Sequence, residues 1–313
     1  MSNQITEAFV KQYSSNVFHL SQQKGSKLQG LVRNESQNAE SAFYDRIGSV
    51  DAQLKVGRHS DTTYSNTPHS RRRVTLKDYF YADLVDKEDK IRMLISPESE
   101  YVQAAVWALG RAKDDEIIAA ALGNAYSGVD GATAVALPAA QKVAAHDGTT
   151  TSGVNLNVKT LRAVKQKFDA NDVSEEISKS MAVTSFQIQS LLAQTEVTSS
   201  DFASVKALVM GEVNTFMGFN FVRTERIPRS ASNVTYNVAS GVVGSGTGTI
   251  TAANSRRCIA WAMDGLLLAT AQDINGKIDV LPTKHYSTQV YASLHLGATR
   301  MEEAKVVEVI CSE

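Results

Sequence analysis

The sequence predicts an α+β fold, because its helices and strands do not follow one another in regular alternation. Three observations carry that expectation. Residues 50–56, VDAQLKV, alternate strictly, with Val50, Ala52, Leu54 and Val56 on one face, and residues 74–84 place Val74, Leu76, Phe80, Ala82 and Leu84 together in the same two-residue period. Residues 97–126 carry apolar stripes at helical spacing. The C-terminus returns to alternation through Val290, Ala292, Leu294 and Leu296, then Val307, Val309 and Cys311. A chain of 313 residues is long enough to bury a sizeable core.

Residues 1–40 are polar. Ile5, Phe9, Val10, Tyr13, Val17, Phe18 and Leu20 recur at helical spacing, and beyond Lys24 the chain reads as an extended arm without a core of its own. Between the two expected strands, residues 57–73, GRHSDTTYSNTPHSRRR, are polar and contain Pro68. That stretch is too long for a hairpin turn, so it is either a disordered tip or a segment that packs outside its own domain. Ser96 and Pro97 suit the start of a long helix, and Glu98 and Glu100 oppose its positive end. Its stripes are Tyr101, Val102, Ala105, Val106 and Leu109, then Ile117, Ile118, Ala121, Leu122 and Ala125, separated by the polar stretch RAKDDE at 111–116. After a loop-like region at 128–153, Asn157 caps a helix through Val158, Leu161, Val164 and Phe168, and a short helix follows at 184–194. Residues 217–228 read as a strand ending at Pro228, and the Gly/Ser/Thr-rich residues 240–255 as a loop or flexible hairpin.

Composition excludes several functions. With 32 Lys+Arg against 33 Asp+Glu, the chain has no general attraction for nucleic acid. Cys258 and Cys311 lack metal or disulfide-framework spacing, fit a reducing compartment and read as small buried residues. The first residues form no secretory signal, and no apolar run is long enough to span a membrane. Gly244, Gly246 and Gly248 lack the Lys-Ser/Thr ending and the strand-to-helix setting of a phosphate loop. The six histidines do not pair at helical spacing, and the adjacent acids Asp114–Asp115 and Glu302–Glu303 read as solvated faces rather than a facing carboxylate pair. No catalytic, cofactor or metal site is expected. The one dense basic cluster, Arg71–Arg73, admits three roles: weak phosphate contact, a solvated loop, or forks to carboxylates of a neighbouring subunit. Arg58, Tyr64, Arg71, Arg72 and Arg73 are the candidate intersubunit contacts.

The order of parts, with EYVQAAVWALGRAKDDEIIAAALGNAYSG, SMAVTSFQIQSLLAQTEVTSSDF, GEVNTFMGFNFVRTERIP and HLGATRMEEAKVVEVICSE, resembles the major capsid protein of tailed bacteriophages, the Hong Kong 97-type fold. The resemblance implies an N-terminal arm at 1–40 and an extended loop at 41–92. It implies a peripheral domain from 93–129, with a spine helix at 97–126, and 275–313, and an axial domain at 130–274. It further implies a virion protein, assembled in the bacterial cytoplasm as hexamers and pentamers into an icosahedral or prolate head around double-stranded DNA held without sequence-specific contacts. A portal and decoration proteins are implied partners. So is a separate scaffolding protein, since the arm from Met1 is too short for a cleavable scaffolding segment. Two alternatives remain: an encapsulin-type compartment of the same fold, distinguished by protein rather than nucleic-acid content, and an enzyme with a scattered site.

Overall fold

The computed structural model describes residues 21–55, 57–58, 61–86, 98–194, 215–244 and 246–313. The expected helix within residues 5–20 and the Ser96–Pro97 helix start lie outside them. The chain divides into two compact units, one of Met1–Ser26, Asp78–Ala112 and Gln272–His295, the other of Lys27–Lys77, Lys113–Ala271 and Leu296–Glu313.

In chain order the strands and helices begin with β1 (Arg33–Ser36), β2 (Ser41–Ile47), β3 (His69–Thr75), β4 (Lys77–Val85) and the long helix α1 (Glu98–Leu122). There follow β5 (Ala125–Ser127), β6 (Thr133–Val135), β7 (Lys142–Ala144), α2 (Val158–Ala170), β8 (Lys179–Val183) and α3 (Ser185–Leu192). Among the described residues that follow, the strands are β9 (Thr215–Phe216), β10 (Phe219–Arg223), β11 (Val234–Tyr236), β12 (Gly248–Ile250), β13 (Ser255–Ala262), β14 (Leu266–Leu281), β15 (Ser287–Arg300) and β16 (Val306–Ser312), with short 3-10 turns between several of them. They form sheets ordered β7-β16-β13-β8-β10-β9, β1-β14-β15-β4, β2-β3-β5-β6 and β11-β12.

The six-stranded sheet holds the main core of the larger unit. β8 is buried along its whole length and β16 nearly so, as expected of strands covered on both faces. α2 lies against it through Val158, Leu161, Val164 and Phe168, with the Phe168 and Phe219 rings 5.9 Å apart. The Asn157 side chain accepts from the Thr160 N–H at 2.8 Å, the cap the sequence announces. On α3, Gln187 is buried because its carbonyl accepts from Leu156 N–H and its amide donates to Ser312 O, both at 2.7 Å. Glu308, buried in β16, is held by Arg257 and, at 3.7 Å, by Lys142. Val290, Ala292, Leu294, Leu296, Val307, Val309 and Cys311 are buried, as their alternation predicts.

Several expectations are corrected. Residues 50–55 form no strand, and Leu54 is 90% exposed; the strand that pairs with β3 is β2, in register from Ser41↔Thr75 to Ile47↔His69. Alternation at 50–56 satisfies the period of a strand, but no ladder partner meets it. The run from 74 to 84 is likewise not one face. The chain leaves the β2-β3-β5-β6 sheet at Leu76 and enters another as β4, where Phe80, Ala82 and Leu84 are exposed. The strand at 217–228 ends at Arg223, before Pro228, and is led in by a turn with Met217 and Gly218 at φ +52° and +84°. Within 240–255, the feet of the glycine-rich hairpin are packed. Tyr236 is buried, donates to the carbonyl oxygens of Thr150 (3.2 Å) and Ser152 (3.0 Å), and lies flat against Gly248, where any Cβ would meet its ring.

The long helix ends at Leu122, not at 126, and Ala125 is buried as part of β5. Arg300 explains the end: its guanidinium donates to the terminal carbonyls of Ala121 (3.0 Å) and Gly123 (2.9 Å), groups a helix leaves unsatisfied. The polar stretch at 111–116 is not a solvated separator, and Asp114–Asp115 is not a solvated pair. Asp114 is fully buried and accepts the backbone N–H groups of Lys27 (3.0 Å) and Leu28 (3.1 Å), while Asp115 makes a two-pronged pair with Arg226. Glu116, also buried, pairs with Lys77 at 2.7 Å. The arm therefore gains core contacts from Lys27 onward: Leu28 and Val32 are buried, and Trp261 Nε1 donates to Leu31 O at 2.9 Å.

In the smaller unit, Gly110 sits within α1, where glycine costs roughly 1 kcal/mol relative to alanine. A Cβ there would lie 2.6 Å from Gly25 Cα and 2.9 Å from Ser26 N, both backbone. Gly110→Ala is therefore expected to lower the thermal midpoint despite its better helix propensity. A raised midpoint would show that the Gly25–Ser26 backbone is not held against the helix.

Candidate functional site

The most distinctive surface is the β2–β3 hairpin, clamped at its base and exposed at its tip. The Gly48 N–H donates to Pro68 O at 2.9 Å, closing the ladder and leaving residues 49–67 as the tip. Gln53 ties the two sides of that tip together through Thr63 and, at 3.0 Å, Ser65. Ile47 (70% exposed), Val50, Leu54 and Tyr64 (90% exposed) present apolar surface to solvent. Arg58 is exposed in the same stretch.

The base is built from arginines. β3 pairs with β2 on one side and β5 on the other, so Arg71, Arg72 and Arg73 are strand residues, not members of a free loop. Alternation then separates them. Arg71 pairs with Asp45 at 3.1 Å and lies over the Phe43 ring, and Arg73 lies over Tyr126 with Nη1 3.3 Å from Asp130 O. Arg72, 1% exposed, turns inward and pairs through Nη2 with Glu303. Burial pulls its guanidinium below the ordinary arginine value, and Glu303 opposes that shift. Glu303 also faces Arg300 at 3.6 Å and Arg46 at 3.8 Å. Arg46 further reaches Met301 O, and Arg300 reaches Val135 O at 2.9 Å. One carboxylate thus gathers three arginines and fastens the hairpin to the turn after β15.

Of the five sequence-predicted contacts, the structure leaves Arg58 and Tyr64 open, gives Arg71 and Arg73 partners at the surface, and commits Arg72 to the interior. Arg46, Arg300 and Glu303 escaped the sequence reading, and Glu302–Glu303 is corrected from a solvated pair. The only local signal was an acid three positions from a basic residue, Arg300; of the two remote partners, Arg46 and Arg72, the latter lies 231 residues distant. Beside the hairpin, Asp45, His69, Arg71, Ser127 and Val129 border an open groove of about 570 Å³. Cys258 and Cys311 are free thiols, both buried, and the hydrogen bond between them, with burial second, raises the Cys311 thiol. Among the described residues, no three His, Cys, Asp or Glu side chains gather as metal ligands, and no helix is long and apolar enough to cross a membrane.

A family model described as phage capsid protein matches residues 5–313. No curated protein sequence matches the chain. Among solved structures, the capsid of the cyanophage P-SCSP1u superposes with a TM-score of 0.71 at 14% identity, covering 99% of this chain and 94% of that one. The capsid of Ralstonia phage GP4 gives 0.71 at 10% identity, over 97% and 95% of the two chains. The capsid of a native GTA particle gives 0.70 at 14% identity, over 99% and 98%.

Proposed function

Since the chain belongs to the phage capsid protein family and has the Hong Kong 97-type fold, we propose that it assembles as hexamers and pentamers into an icosahedral or prolate head around double-stranded DNA. It is a structural protein of the capsid. Its proposed partners are further copies of itself, a separate scaffolding protein, a portal and decoration proteins, with the DNA enclosed rather than read. Assembly in the bacterial cytoplasm belongs to the same proposal. In this reading residues 1–40 are the arm, and 41–92 the extended loop with its hairpin at 41–75. Residues 93–129 and 275–313 are the peripheral domain, and 130–274 the axial domain.

One observation carries the assembly reading: the hairpin tip presents Val50, Leu54 and Tyr64 to solvent while its base is clamped. Ordering such a tip costs conformational entropy that its own contacts do not offset, and a neighbouring copy supplies the missing burial. Arg58 and Tyr64 are the proposed contacts there. Electron microscopy of the protein expressed with its scaffold is expected to show closed shells containing nucleic acid. Monomers and dimers alone, under all conditions, would sink the proposal, and shells filled with protein would transfer it to an encapsulin-type compartment.

Trypsin supplies a second check. Lys55 and Arg58 lie in the exposed tip, whereas Arg71, Arg72 and Arg73 are held in a strand paired on both sides. Free subunits are expected to be cut after Lys55 or Arg58 and not within 71–73, and assembled particles to resist at both. Equal cutting of the tip in particles and subunits would remove its role as an intersubunit contact.

A further inference from the structure

α2 and the turn after it carry a set of charges that the subunit leaves unused. The helix places Arg162 and Lys165 on its outer side one turn apart, with Lys167 nearby and Lys159 donating to Asp147 O at 2.6 Å. Among the described residues, Arg162, Lys165 and Lys167 close no ion pair or side-chain hydrogen bond. The next residues reverse the sign: Asp169, Asp172, Glu175 and Glu176 are all exposed, and their carboxylates have no partner among the described residues. Even Lys165 and Asp169, at i,i+4, stay apart; a cation preceding the acid is the poorer order on a helix. Each set repels itself within one subunit, and each is what the other lacks.

Shape follows the charge. Arg162, Lys165, Gln166, Asp169, Ala170 and Met217 line an open cleft of about 450 Å³ between the outer face of α2 and the turn joining β9 to β10. The acidic turn is exposed, with Asp172 in the left-handed region at φ +51°. We infer that the cleft at Arg162 and Lys165 on one copy receives Glu175 and Glu176 of the next copy around a ring. The inference rests on the capsid reading and adds to it the surface that sets ring register. The contact so inferred is heterologous and runs head to tail, the type that closes rings. Exposed pairs contribute little affinity, but like-charge juxtaposition excludes wrong registers. Packaged DNA is the poorer occupant, because the four adjacent carboxylates would face the same phosphates.

Charge reversal tests the contact. One variant combines Arg162→Glu with Lys165→Glu, a second combines Glu175→Lys with Glu176→Lys, and a third carries all four changes. Each is expressed with the scaffold, particle yield is read by sedimentation and electron microscopy, and free subunits are melted by circular dichroism. Both double variants are expected to melt like the parent yet lose about tenfold or more in particle yield, and the fourfold variant to recover most of it. Mixing the two double variants is expected to restore six-membered rings, in which complementary neighbours alternate, but not five-membered ones, which always retain one like-charged contact. Normal yield from either double variant, no recovery in the fourfold chain, or rescue of both ring sizes or of neither would overturn the inference. Intact particles with less DNA in the first variant would also overturn it and assign the cationic face to phosphate. Absence of particles from the parent chain would instead bring down the capsid reading itself.

Discussion

Glu303→Ala is expected to cost about 3–5 kcal/mol of subunit stability, because removing one partner of a buried ion pair leaves the other charge uncompensated. Here the change strands more than one cation. Arg72 is 1% exposed and Arg300 fully buried, and both are drawn below the ordinary arginine value by burial, with Glu303 as the opposing influence. Arg300 retains the carbonyls of Ala121, Gly123 and Val135, whereas Arg72 keeps only a 3.4 Å contact with Met301 O. Arg72 therefore suffers most, and the hairpin loses its fastening to the β15–β16 turn. Urea unfolding of unassembled subunits measures the loss directly. A loss below about 1 kcal/mol would place the pair in the class of weak surface bridges and remove the clamp from the account. The same geometry bears on reversing Arg71, Arg72 and Arg73 together to Glu. Arg72→Glu alone puts two carboxylates face to face in the interior, so the triple reversal is expected to reduce soluble protein as well as particles.

Ala105→Pro is expected to abolish soluble folding. Ala105 is fully buried in α1, seven residues beyond Glu98 and well before Leu122. Proline there deletes a helical hydrogen bond and drives its ring against the preceding turn, costing about 3 kcal/mol or more. Total stability of a domain is typically about 5–15 kcal/mol, so one such insult removes a large share of it. Recovery of a soluble variant with a cooperative melt at the parental midpoint would show that the helix is not continuous through position 105.

The features legible in the sequence were those that neighbouring residues determine. Asn157 capping α2, the stripe through Leu161, Val164 and Phe168, and the alternation from Val290 to Leu296 all appear where expected. The same local rules misplaced a strand at 50–56. A period of two describes what a strand requires, while a strand also requires a partner, and β3 takes residues 41–47. They also hid Asp114, whose burial is compensated by backbone N–H groups of Lys27 and Leu28, more than eighty residues away in the chain. The proposed contact surface was half visible. A polar stretch too long for a turn pointed to the exposed tip, but nothing local separated Arg72 from Arg71 and Arg73.

By itself, then, the sequence determined the fold class, the long helix, the capped shorter helix and the near-balance of charge, together with the family that their order resembles. These depend on periodicity, capping and composition, which act over a few residues. Only the tertiary structure decided that one arginine of three faces inward, that Glu303 gathers Arg46, Arg72 and Arg300, and that α1 stops at Leu122. A charge is buried only where another part of the chain brings the opposite charge or a hydrogen-bonding partner, because desolvating it alone costs more than the fold can bear. Which distant residue arrives there is settled by how the strands pair, and that pairing is a property of the whole chain.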